Sequence, residues 1–580
     1  MASNARIAAD LDEIADLLEL QDANPFRVRA FRNGARTVRD LDRSVAAMVD
    51  AGADLRELPG IGKDLAAQIE RKVRGEAMAS LEELRAEVPR GLLDVLRVPG
   101  LGPKKARAVW TELGVESLDA LEAAAHDGRV AELKGFGAKT QDRILRGIAS
   151  VRRFAERRRR ADAEASLTPL LAWMRETPGL QRIEVAGSFR RGRDTIGDLD
   201  LLAVSDDAPG AMERFRAYDE VEEILGSGDD KTSLRLADGL QVDLRVVPQE
   251  AFGAALLYFT GSKAHNVRLR RRAQDRDARL NEYGLWEIGS DERLAGADED
   301  GVYAALDLPW IPPELREDRG EIEAAESDAL PRLITRDDVL SDLHSHSDWS
   351  DGSATLLEMQ QAARDRGLQV LAVTDHSPAL SMTGGLDRDK LLRQWDALDA
   401  LEGEVPGLTV LRGLEVDILA DGSLDMDDEM LERMDVVVVS VHSRFELSEA
   451  DQTERVVRAL THPEVNVLGH PTGRLLGQRE SFAIDLEAVI AAAAEHDVAL
   501  ELNAHPARLD LDDRWARRAA QAGVPITINC DAHAPSDFDL LGHGLLQARR
   551  AWLTPEQVVN AWPLPRLRAF LAKEAGWRDA

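Results

Sequence analysis

Cysteine is almost absent from this chain, which has one, Cys530, among 580 residues. A single cysteine excludes a disulfide within the chain, and such scarcity is typical of a reducing cytoplasm. Long apolar runs are absent too, since none approaches the roughly 20 residues of a membrane span. Residues 1–20 have the pattern of a charged amphipathic helix and not of a signal peptide. We therefore expect a cytoplasmic protein with no membrane partner.

Basic residues are scarce, because the chain has 73 Lys+Arg against 105 Asp+Glu and a net charge of −32. Such acidity by itself argues against a nucleic-acid partner. The charge is unevenly distributed, however. Residues 1–200 contain 34 basic and 33 acidic residues, and residues 157–160 are all arginine. The first third of the chain is therefore close to neutral, with concentrated basic clusters, and DNA binding is not excluded there.

The most informative stretch spans residues 187–200 and ends in Asp198 and Asp200, which begin a strand-like apolar run. Side chains two apart on a strand lie on the same face, so both carboxylates point to one place. A third carboxylate, Asp243, stands alone in the strand-like run 240–247. Carboxylates suit Mg²⁺, which takes its other ligands from water and substrate phosphates, and a third one would complete a two-metal site.

Groups that suit a triphosphate lie just before these carboxylates. They are the backbone of a Gly-Ser turn, the Ser188 hydroxyl and the Arg191 guanidinium. The whole string resembles the nucleotidyltransferase signature of family X DNA polymerases, the family of DNA polymerase beta. The resemblance implies that Asp198, Asp200 and Asp243 are catalytic and hold two Mg²⁺ or Mn²⁺ ions. It also implies nucleotide contacts from Gly187, Ser188, Arg191 and Gly197.

Three similar loops occur within the first 150 residues, 35–40 residues apart. Each has the pattern apolar-x-Gly-apolar-Gly with a basic residue near a predicted helix start, where backbone N–H groups favour an anion. They resemble the helix-hairpin-helix element, which binds the DNA backbone without reading sequence. The predicted DNA contacts are Gly60, Gly62, Lys63, Gly100, Gly102, Lys104, Lys105, Gly135, Gly137 and Lys139.

In family X the first such segment is often a 5′-deoxyribose-phosphate lyase, which needs a Schiff-base lysine. Alignment on the first loop places Gln68 where that lysine would stand, and Phe31 where tyrosine is usual. An amide cannot form an imine. We therefore expect little or no lyase activity, with Lys63 and Lys72 as the alternative lysines.

The resemblance continues from the carboxylates through residue 320. It implies that Tyr258 and Phe259 lie beside the sugar and exclude a 2′-hydroxyl, and that Asn266 and Arg270 lie along the minor-groove edge of the nascent pair. Gly261 belongs to the same nucleotide-binding group.

A second constellation begins at residue 339, where seven short apolar runs each lead to a polar, metal-competent residue. Helical patterns lie between the runs, which predicts parallel strands in a barrel or a doubly wound sheet. Polar residues at the C-terminal ends of barrel strands are where catalytic chemistry collects. Six of the 12 histidines are at such ends.

These residues resemble the polymerase and histidinol phosphatase (PHP) domain over residues 335–570. The resemblance implies a distorted (β/α)7 barrel with up to three ions, for which the imidazoles favour Mn²⁺, Zn²⁺ or Fe²⁺. By this pattern, one ion takes His344, His346, Glu415 and Asp531. A second shares Glu415 and takes His442 and His470, and a third takes Asp351, His376 and His533. Asp375, His505 and Arg474 are candidates for orienting ligands or substrate only.

The expected architecture is multidomain α/β, with helical N-terminal domains, an α+β palm and the C-terminal barrel. The predicted boundaries are 1–85 and 86–150 for two helix-hairpin-helix domains, 151–250 for the palm, 251–318 for the nucleotide-binding subdomain, 319–335 for a linker and 336–575 for the PHP domain. Because the boundary at residues 311–335 opens with a Pro-Pro pair and continues as an acidic segment, we expect an exposed, mobile tether.

A polymerase core followed by a PHP domain resembles the bacterial family X DNA polymerases from end to end. This implies a monomer that fills gaps in DNA with deoxynucleoside triphosphates during repair, and a Mn²⁺-dependent 3′→5′ exonuclease or abasic endonuclease. Three alternatives stay open for the PHP domain: a pyrophosphatase, a small phosphomonoesterase or a structural platform. The core has the alternative of adding nucleotides to another substrate.

Overall fold

The computed structural model of the chain describes residues 4–39, 41, 44–155, 157–290, 292–380 and 382–579. The helix predicted over residues 1–20 is present over Asn4–Leu20, and the first three positions lie outside the described part. Within these ranges, no helix is long and apolar enough to cross a membrane.

The N-terminal region is built from helices around one apolar core. Leu11, Ile14 and Leu18 of the first helix are fully buried in it, together with Ile69 and Val109 of later helices. The helices described in this region are α1 (Asn4–Leu20), α2 (Pro25–Arg39), α3 (Val45–Asp50), α4 (Lys63–Val73), α5 (Ala79–Glu87), α6 (Leu92–Leu96), α7 (Pro103–Leu113), α8 (Leu118–His126), α9 (Arg129–Glu132) and α10 (Ala138–Ala155).

A palm of five strands follows, with helices on both faces. Its elements are β1 (Arg158–Arg159), α11 (Arg160–Arg175), β2 (Leu180–Val185), α12 (Gly187–Arg190), β3 (Thr195–Ile196), β4 (Asp198–Ser205), α13 (Ala208–Arg216), β5 (Val221–Ser227), β6 (Lys231–Leu236) and β7 (Gln241–Val246). The sheet order is β2-β4-β7-β6-β5, and β1 pairs separately with β3. Because side chains alternate along β4, Leu201 packs against α11 and α13, and Leu202 packs on the opposite face against Phe252, which begins the helix after β7.

The next subdomain packs helices against a small antiparallel sheet of order β10-β9-β8. Leu257, Leu269, Leu285 and Tyr303 form its core. Its elements are α14 (Phe252–Thr260), α15 (Lys263–Gln274), β8 (Ala278–Asn281), β9 (Gly284–Glu287), β10 (Arg293–Ala295) and α16 (Glu299–Ala304).

The prediction that residues 311–335 form an exposed tether is wrong. This segment carries α17 (Glu321–Glu326) and buries Arg316 and Glu321 completely. Two of its carboxylates have close partners, because Glu321 lies 2.7 Å from Nδ1 of His265 and Glu314 pairs with Arg549 at 2.7 Å. The segment therefore fills the junction between the polymerase-like part and the C-terminal domain.

The C-terminal domain confirms the predicted barrel of seven parallel strands, in consecutive order from β11 to β17. A bridge between Ser345 and Ala532 joins the first strand to the last and nearly closes the barrel. The strands are β11 (Ser341–Asp342), β12 (Val370–Val373), β13 (Thr409–Asp417), β14 (Val436–Ser440), β15 (Val467–Leu468), β16 (Ala499–Asn503) and β17 (Ile526–Asn529).

Apolar side chains fill one end of the barrel. Leu343, Val370 and Val436 pack there against Trp562 and Phe570 of the C-terminal segment. The opposite end, where the strands finish, is left for polar groups. The surrounding helices are α18 (Leu356–Asp365), α19 (Arg388–Ala400), α20 (Asp428–Leu431), α21 (Glu449–Leu460), α22 (Leu486–Glu495), α23 (Asp513–Gln521), α24 (Leu541–Arg550) and α25 (Leu564–Leu571). Short 3₁₀ turns lie at Leu55–Glu57, Gln249–Ala251, Pro313–Leu315, Arg336–Asp338, Pro535–Leu540, Pro555–Gln557, Val559–Ala561 and Trp577–Asp579.

A buried ion pair holds the junction segment to the subdomain before it. Arg316 donates to both carboxylate oxygens of Glu299, at 2.6 and 3.2 Å, and Arg190 of the palm does the same at 2.8 Å twice. Burial by itself raises the pKa of Glu299, but the two arginines outweigh it and hold that pKa below its usual range. The stability that the pair contributes is therefore present above about pH 5 and is lost as the pH falls through the folded pKa.

Replacing Arg316 by Met should lower the free energy of unfolding by about 3–5 kcal/mol, since it leaves a buried carboxylate short of a partner. Chemical denaturation of the full-length chain measures this. As a control, Arg268→Met removes an exposed pair with Asp318, which should cost about 0–1 kcal/mol. Equal effects of the two substitutions would contradict the assignment.

Candidate active sites

The register of the palm sheet brings the three predicted carboxylates together. β4 and β7 run parallel, and Asp200 lies directly opposite Asp243. Asp198 is two residues before Asp200 on the same strand and therefore shares its face. Asp243 is itself held by Gln241 at 3.0 Å and by Lys231 at 3.2 Å. The first residues of these two interior strands thus present three acidic side chains, with Lys231 and Arg245 as nearby cations.

These carboxylates repel one another. Burial, followed by the charges of Asp198 and Asp243, raises the pKa of Asp200 to about 6. The pKa of Asp198 is also raised, first by burial and then by Asp243. Carboxylate oxygens are the ligands that hard divalent cations prefer, and a cation between these side chains would offset their mutual repulsion. The residues therefore fit the predicted ions.

The Gly-Ser turn lies against this cluster. Gly187 has a left-handed φ of +63°, and a Cβ there would lie 2.4 Å from Oδ2 of Asp200. Only glycine therefore fits beside the carboxylate. Ser188 lies in the short helix α12, while the exposed Gly197 immediately precedes Asp198.

Arg191 lies in the turn but is already engaged by protein groups. Its Nε donates to Glu317 at 3.1 Å, and its Nη1 donates to the carbonyl of Thr260 at 2.5 Å. A Cβ on Gly261 would lie 3.1 Å from the same guanidinium. The structure thus places Arg191 beside Gly261, in contact with Thr260 and Glu317.

The remaining predicted nucleotide contacts form a neighbouring surface. Tyr258, Asn266 and Arg270 line one small cleft together with Asn281. The Asn266 amide donates to the carbonyl of Tyr258 at 2.7 Å, which fixes the relation of α14 and α15. Phe259 packs edge-on against Tyr258, with ring centroids 5.1 Å apart.

The three predicted DNA-binding loops share a left-handed first glycine, but the third loop differs at its second glycine, since Gly137 has φ of +106° and Gly62 and Gly102 are extended. In each the first glycine is left-handed, with φ of +72° at Gly60, +90° at Gly100 and +84° at Gly135. The second glycine, at Gly62, Gly102 and Gly137, directly precedes a helix. A Cβ on Gly62 or Gly102 would meet nothing within 4 Å, so no other part of the described chain packs on these glycines at that point. Lys63, Lys104 and Lys139 are exposed beside them, whereas Lys105 lies over the Phe136 ring at 5.4 Å.

Of the positions relevant to lyase chemistry, Gln68 and Lys72 are engaged by protein groups. The Gln68 amide donates to Ser80 at 2.8 Å, and the Lys72 ammonium pairs with the buried Asp10 at 2.7 Å. Lys63, at the start of α4, is exposed.

In the barrel, one buried carboxylate lies at the centre of five imidazoles. Oε1 of Glu415 lies 3.4 Å from His344, 3.3 Å from His442 and 3.0 Å from His470. Oε2 lies 2.8 Å from His376 and 3.7 Å from His346. Glu415 lies within β13 rather than beyond its end, because the strand continues to Asp417.

The other predicted ligands surround this centre. Asp531 approaches His346 at 3.2 Å and His344 at 3.6 Å. Asp351 lies 3.5 Å from His376 and 3.4 Å from His533. Three sets of donor atoms are compact enough to hold an ion: His344, His346 and Asp531; His376, Glu415 and His442; and His346, Asp351, His376 and His533. His376 and His346 each belong to two sets, so the division of ligands among ions stays a prediction.

Several donor atoms of this cluster are buried without a hydrogen-bond partner. They are Nε2 of His344, Nδ1 of His346, Nδ1 of His470 and Oε2 of Glu415. A buried polar atom with no partner is costly unless something else satisfies it. Imidazole and carboxylate donors in this number suit Mn²⁺, Zn²⁺ or Fe²⁺, so the residues fit the predicted group.

The sequence did not identify the residues that orient the ligands. The buried Glu501 accepts from Nδ1 of His344 at 2.8 Å, which leaves Nε2 directed toward Glu415. Asp417 plays the same part for His442 at 3.2 Å. Both follow the pattern of a carboxylate near a strand end, but the pattern does not distinguish a ligand from its support.

Of the three predicted orienting candidates, Asp375 is buried and accepts from Ser347 and Gln394, each at 2.6 Å. The Nδ1 of His505 accepts from the backbone of Ala507 at 3.2 Å. Arg474 lies 3.5 Å from Asp194 of the palm, so it joins the two halves of the molecule instead.

Comparison with known proteins matches this architecture. Family models described as a helix-hairpin-helix domain, a SAM-like helix-hairpin-helix tandem, a DNA polymerase beta thumb and a PHP domain match residues 2–78, 92–150, 255–317 and 342–505. The DNA polymerase/3′-5′ exonuclease PolX of Bacillus subtilis is 37% identical over 565 residues, which cover 97% of this chain and 98% of the relative. The chain belongs to the PolX family. It is thus a bacterial-type family X protein with a C-terminal PHP domain.

The PHP half of this PolX protein also has relatives of its own. Probable phosphatases of Syntrophotalea carbinolica and Edwardsiella ictaluri are 29% and 31% identical over 230 and 232 residues. Each alignment covers 38% of this chain and 90% of the relative. The barrel therefore also occurs without a polymerase part.

Asp198→Asn should stabilise the metal-free PolX chain at pH 7. Because the folded pKa of Asp200 is raised to about 6, its ionisation destabilises the fold progressively as the pH rises from the unfolded pKa through the folded one. Removing the Asp198 charge relieves part of this cost, by about 0.5–1 kcal/mol at pH 7 and by little at pH 4. Denaturation in EDTA at both pH values measures it.

The matched control is Asp229→Asn, an exposed aspartate in a turn of the same sheet. It should change stability little at either pH. A stabilisation by Asp198→Asn that is the same at pH 4 and pH 7 would show that charge repulsion is not its cause.

Proposed function

We propose that this chain is a DNA polymerase that fills short gaps during DNA repair, and that its PHP domain removes nucleotides from 3′ ends. The observation that carries the polymerase assignment is the placement of Asp198, Asp200 and Asp243 on adjacent parallel strands, beside a glycine turn. The family membership supports the same reading, since the Bacillus subtilis relative is named as a polymerase and exonuclease.

In this proposal Asp198, Asp200 and Asp243 hold two Mg²⁺ or Mn²⁺ ions. Such ions supply charge to neutralise the triphosphate and make the primer hydroxyl more acidic. Ser188 and the backbone of Gly187 bind the triphosphate oxygens, and Arg191 adds positive charge to them. The sheet holds these groups rigidly in place, so their orientation costs little when substrate binds.

The Tyr258 and Asn266 surface would select the nucleotide. The Tyr258 and Phe259 rings lie edge-on to each other and form a wall where the sugar is expected, which leaves no room for a 2′-hydroxyl. Asn266 and Arg270 line the same cleft as Tyr258 and offer donors to the minor-groove edge of the new pair.

For the PHP domain, we propose a phosphodiesterase acting as a 3′→5′ exonuclease. Its nine ligands would hold up to three Mn²⁺, Zn²⁺ or Fe²⁺ ions, which supply activation of water and of the phosphodiester. Glu501 and Asp417 keep His344 and His442 turned toward the centre. The second candidate is a phosphomonoesterase or pyrophosphatase, which the probable phosphatases related to this half favour.

We further propose that the substrates are gapped DNA and deoxynucleoside triphosphates, and that the protein acts in the cytoplasm as a monomer. The three glycine loops support backbone binding, because each precedes a helix start, where N–H groups favour an anion, and has an exposed lysine beside it. Lyase activity is expected to be weak, since Gln68 occupies the position where family X places its lysine.

The two activities should be separable by single substitutions. Asp243→Ala should abolish primer extension, because one ligand of the palm site is lost, while 3′ excision continues. His344→Ala should abolish excision and leave extension unchanged. Labelled gapped DNA with Mn²⁺ measures both, and release of phosphate from pyrophosphate in the same samples distinguishes the second candidate.

The controls are Asp229→Ala for the palm and His496→Ala for the barrel, both outside the two clusters. Extension by Asp243→Ala at the wild-type rate would overturn the polymerase site. If His344→Ala loses pyrophosphatase activity but keeps 3′ excision, the PHP domain is a pyrophosphatase and not an exonuclease.

The glycine loops should carry much of the salt-dependent affinity for DNA. Replacing Lys63, Lys104 and Lys139 by Ala should weaken binding and reduce the slope of log K against log salt by about 2–3, close to one per lost phosphate contact. Fluorescence anisotropy with gapped duplex over a salt series measures this. The control replaces three exposed arginines of the PHP domain, Arg393, Arg458 and Arg514, and an equal loss of slope there would contradict the assignment.

A further inference from the structure

A helix of the PHP domain reaches the nucleotide turn of the palm. Arg550, at the end of α24, has a side chain that is only 2% exposed. Its Nη1 donates to the backbone carbonyl of Arg191 at 2.7 Å. The same nitrogen donates to Glu317 at 3.0 Å, and this is the carboxylate that holds the guanidinium of Arg191.

The backbone after Arg191 also packs on this helix. Gly192 has a left-handed φ of +67°, and a Cβ there would lie 3.4 Å from Leu546 and 3.5 Å from Cδ of Arg550. The turn that carries Ser188 and Arg191 therefore packs against α24 at Gly192, while Gly187 at its start packs against Asp200. Its position depends on a domain that the polymerase signature does not include.

The charges at this contact form a chain across the domain boundary. Glu317 is shared by Arg191 and Arg550, and Arg193 lies 4.0 Å away. The second terminal nitrogen of Arg550, Nη2, pairs with Asp513 at 3.0 Å, and Arg319 pairs with the same carboxylate at 2.7 Å. Because Arg550 also pairs with Glu317, the negative charge of Glu317 is divided between two arginines and cancels only part of the Arg191 charge.

We propose that Arg550 is a positioning residue for the incoming triphosphate, so that the PHP domain completes the nucleotide site of the palm. It holds the Arg191 carbonyl and offsets part of the Glu317 charge, so the positive charge of the engaged Arg191 guanidinium is not fully cancelled and attracts phosphate. This inference rests on the proposed polymerase function. It assigns the PHP domain a part in synthesis that does not depend on its own metal centre.

The expected effect is on nucleotide binding more than on the chemical step. Without Arg550, Glu317 would bind Arg191 more tightly and the turn would lose one hydrogen bond to a charged donor. Such a bond accounts for roughly tenfold or more in an equilibrium. Arg550→Gln should therefore raise KM for the nucleotide by about tenfold while kcat changes less than threefold. Arg550→Lys should recover part of the loss.

The matched control is Arg549→Gln, on the same helix and at the same domain boundary. Arg549 pairs with Glu314 at 2.7 Å and donates to the carbonyl of Ile334 at 3.1 Å, but it does not contact the turn. Its substitution should weaken the junction and leave KM within about twofold of the wild type. Single-nucleotide gap filling at varied nucleotide concentration gives both constants.

A second substitution separates charge from mere packing. In Arg550→Gln with Glu317→Gln, the uncompensated carboxylate is gone, so KM should return toward the wild-type value. A purely structural role predicts a double variant at least as impaired as Arg550→Gln. An unchanged KM in Arg550→Gln, an equal rise in Arg549→Gln, or no recovery in the double variant would overturn this inference. None of these results would overturn the proposed polymerase function. A wild-type chain that never extends a primer would overturn the proposed function, and this inference with it.

Discussion

Concentrated negative charge needs a compensating cation nearby, and this constraint shapes both halves of the molecule. In the palm, three aspartates lie near the start of two neighbouring strands, and burial with mutual repulsion raises the pKa of Asp200 to about 6 despite Arg245 and Lys231 nearby. In the barrel, the buried Glu415 lies among five imidazoles, several of whose nitrogens have no hydrogen-bond partner. The palm cluster has repelling carboxylates, and the barrel cluster has buried donor atoms without a hydrogen-bond partner. A divalent ion would offset the first and satisfy the second.

The same constraint joins the domains. The junction segment is rich in acidic residues, yet Glu314, Glu317 and Glu321 are each held by a side chain from a distant part of the chain. Charged groups that are buried and paired in this way fix geometry, because breaking one pair leaves an uncompensated charge. The contact between the PHP helix and the nucleotide turn is therefore rigid, which suits a site whose groups must be oriented before substrate binds.

Much of this could be predicted from the sequence, because local patterns determine it. The spacing of Asp198 and Asp200, the lone Asp243 and the seven apolar runs all correspond to strands, and parallel pairing brings their ends together. The predictions that failed depend on contacts between residues far apart in the sequence. Residues 311–335 looked like an exposed tether because composition shows charge but not its partner, and the partners of Glu314 and Glu317 lie more than 200 residues along the chain. The supporting role of Glu501 was missed for the same reason.

The central claim is that two separate clusters in one chain hold divalent cations against phosphate. Anomalous scattering from crystals grown with Mn²⁺, gapped DNA and a non-hydrolysable nucleotide tests it most directly. The account predicts manganese peaks between Asp198, Asp200 and Asp243, in contact with the triphosphate, and further peaks around Glu415. A palm with bound nucleotide and no manganese beside the aspartates would contradict it.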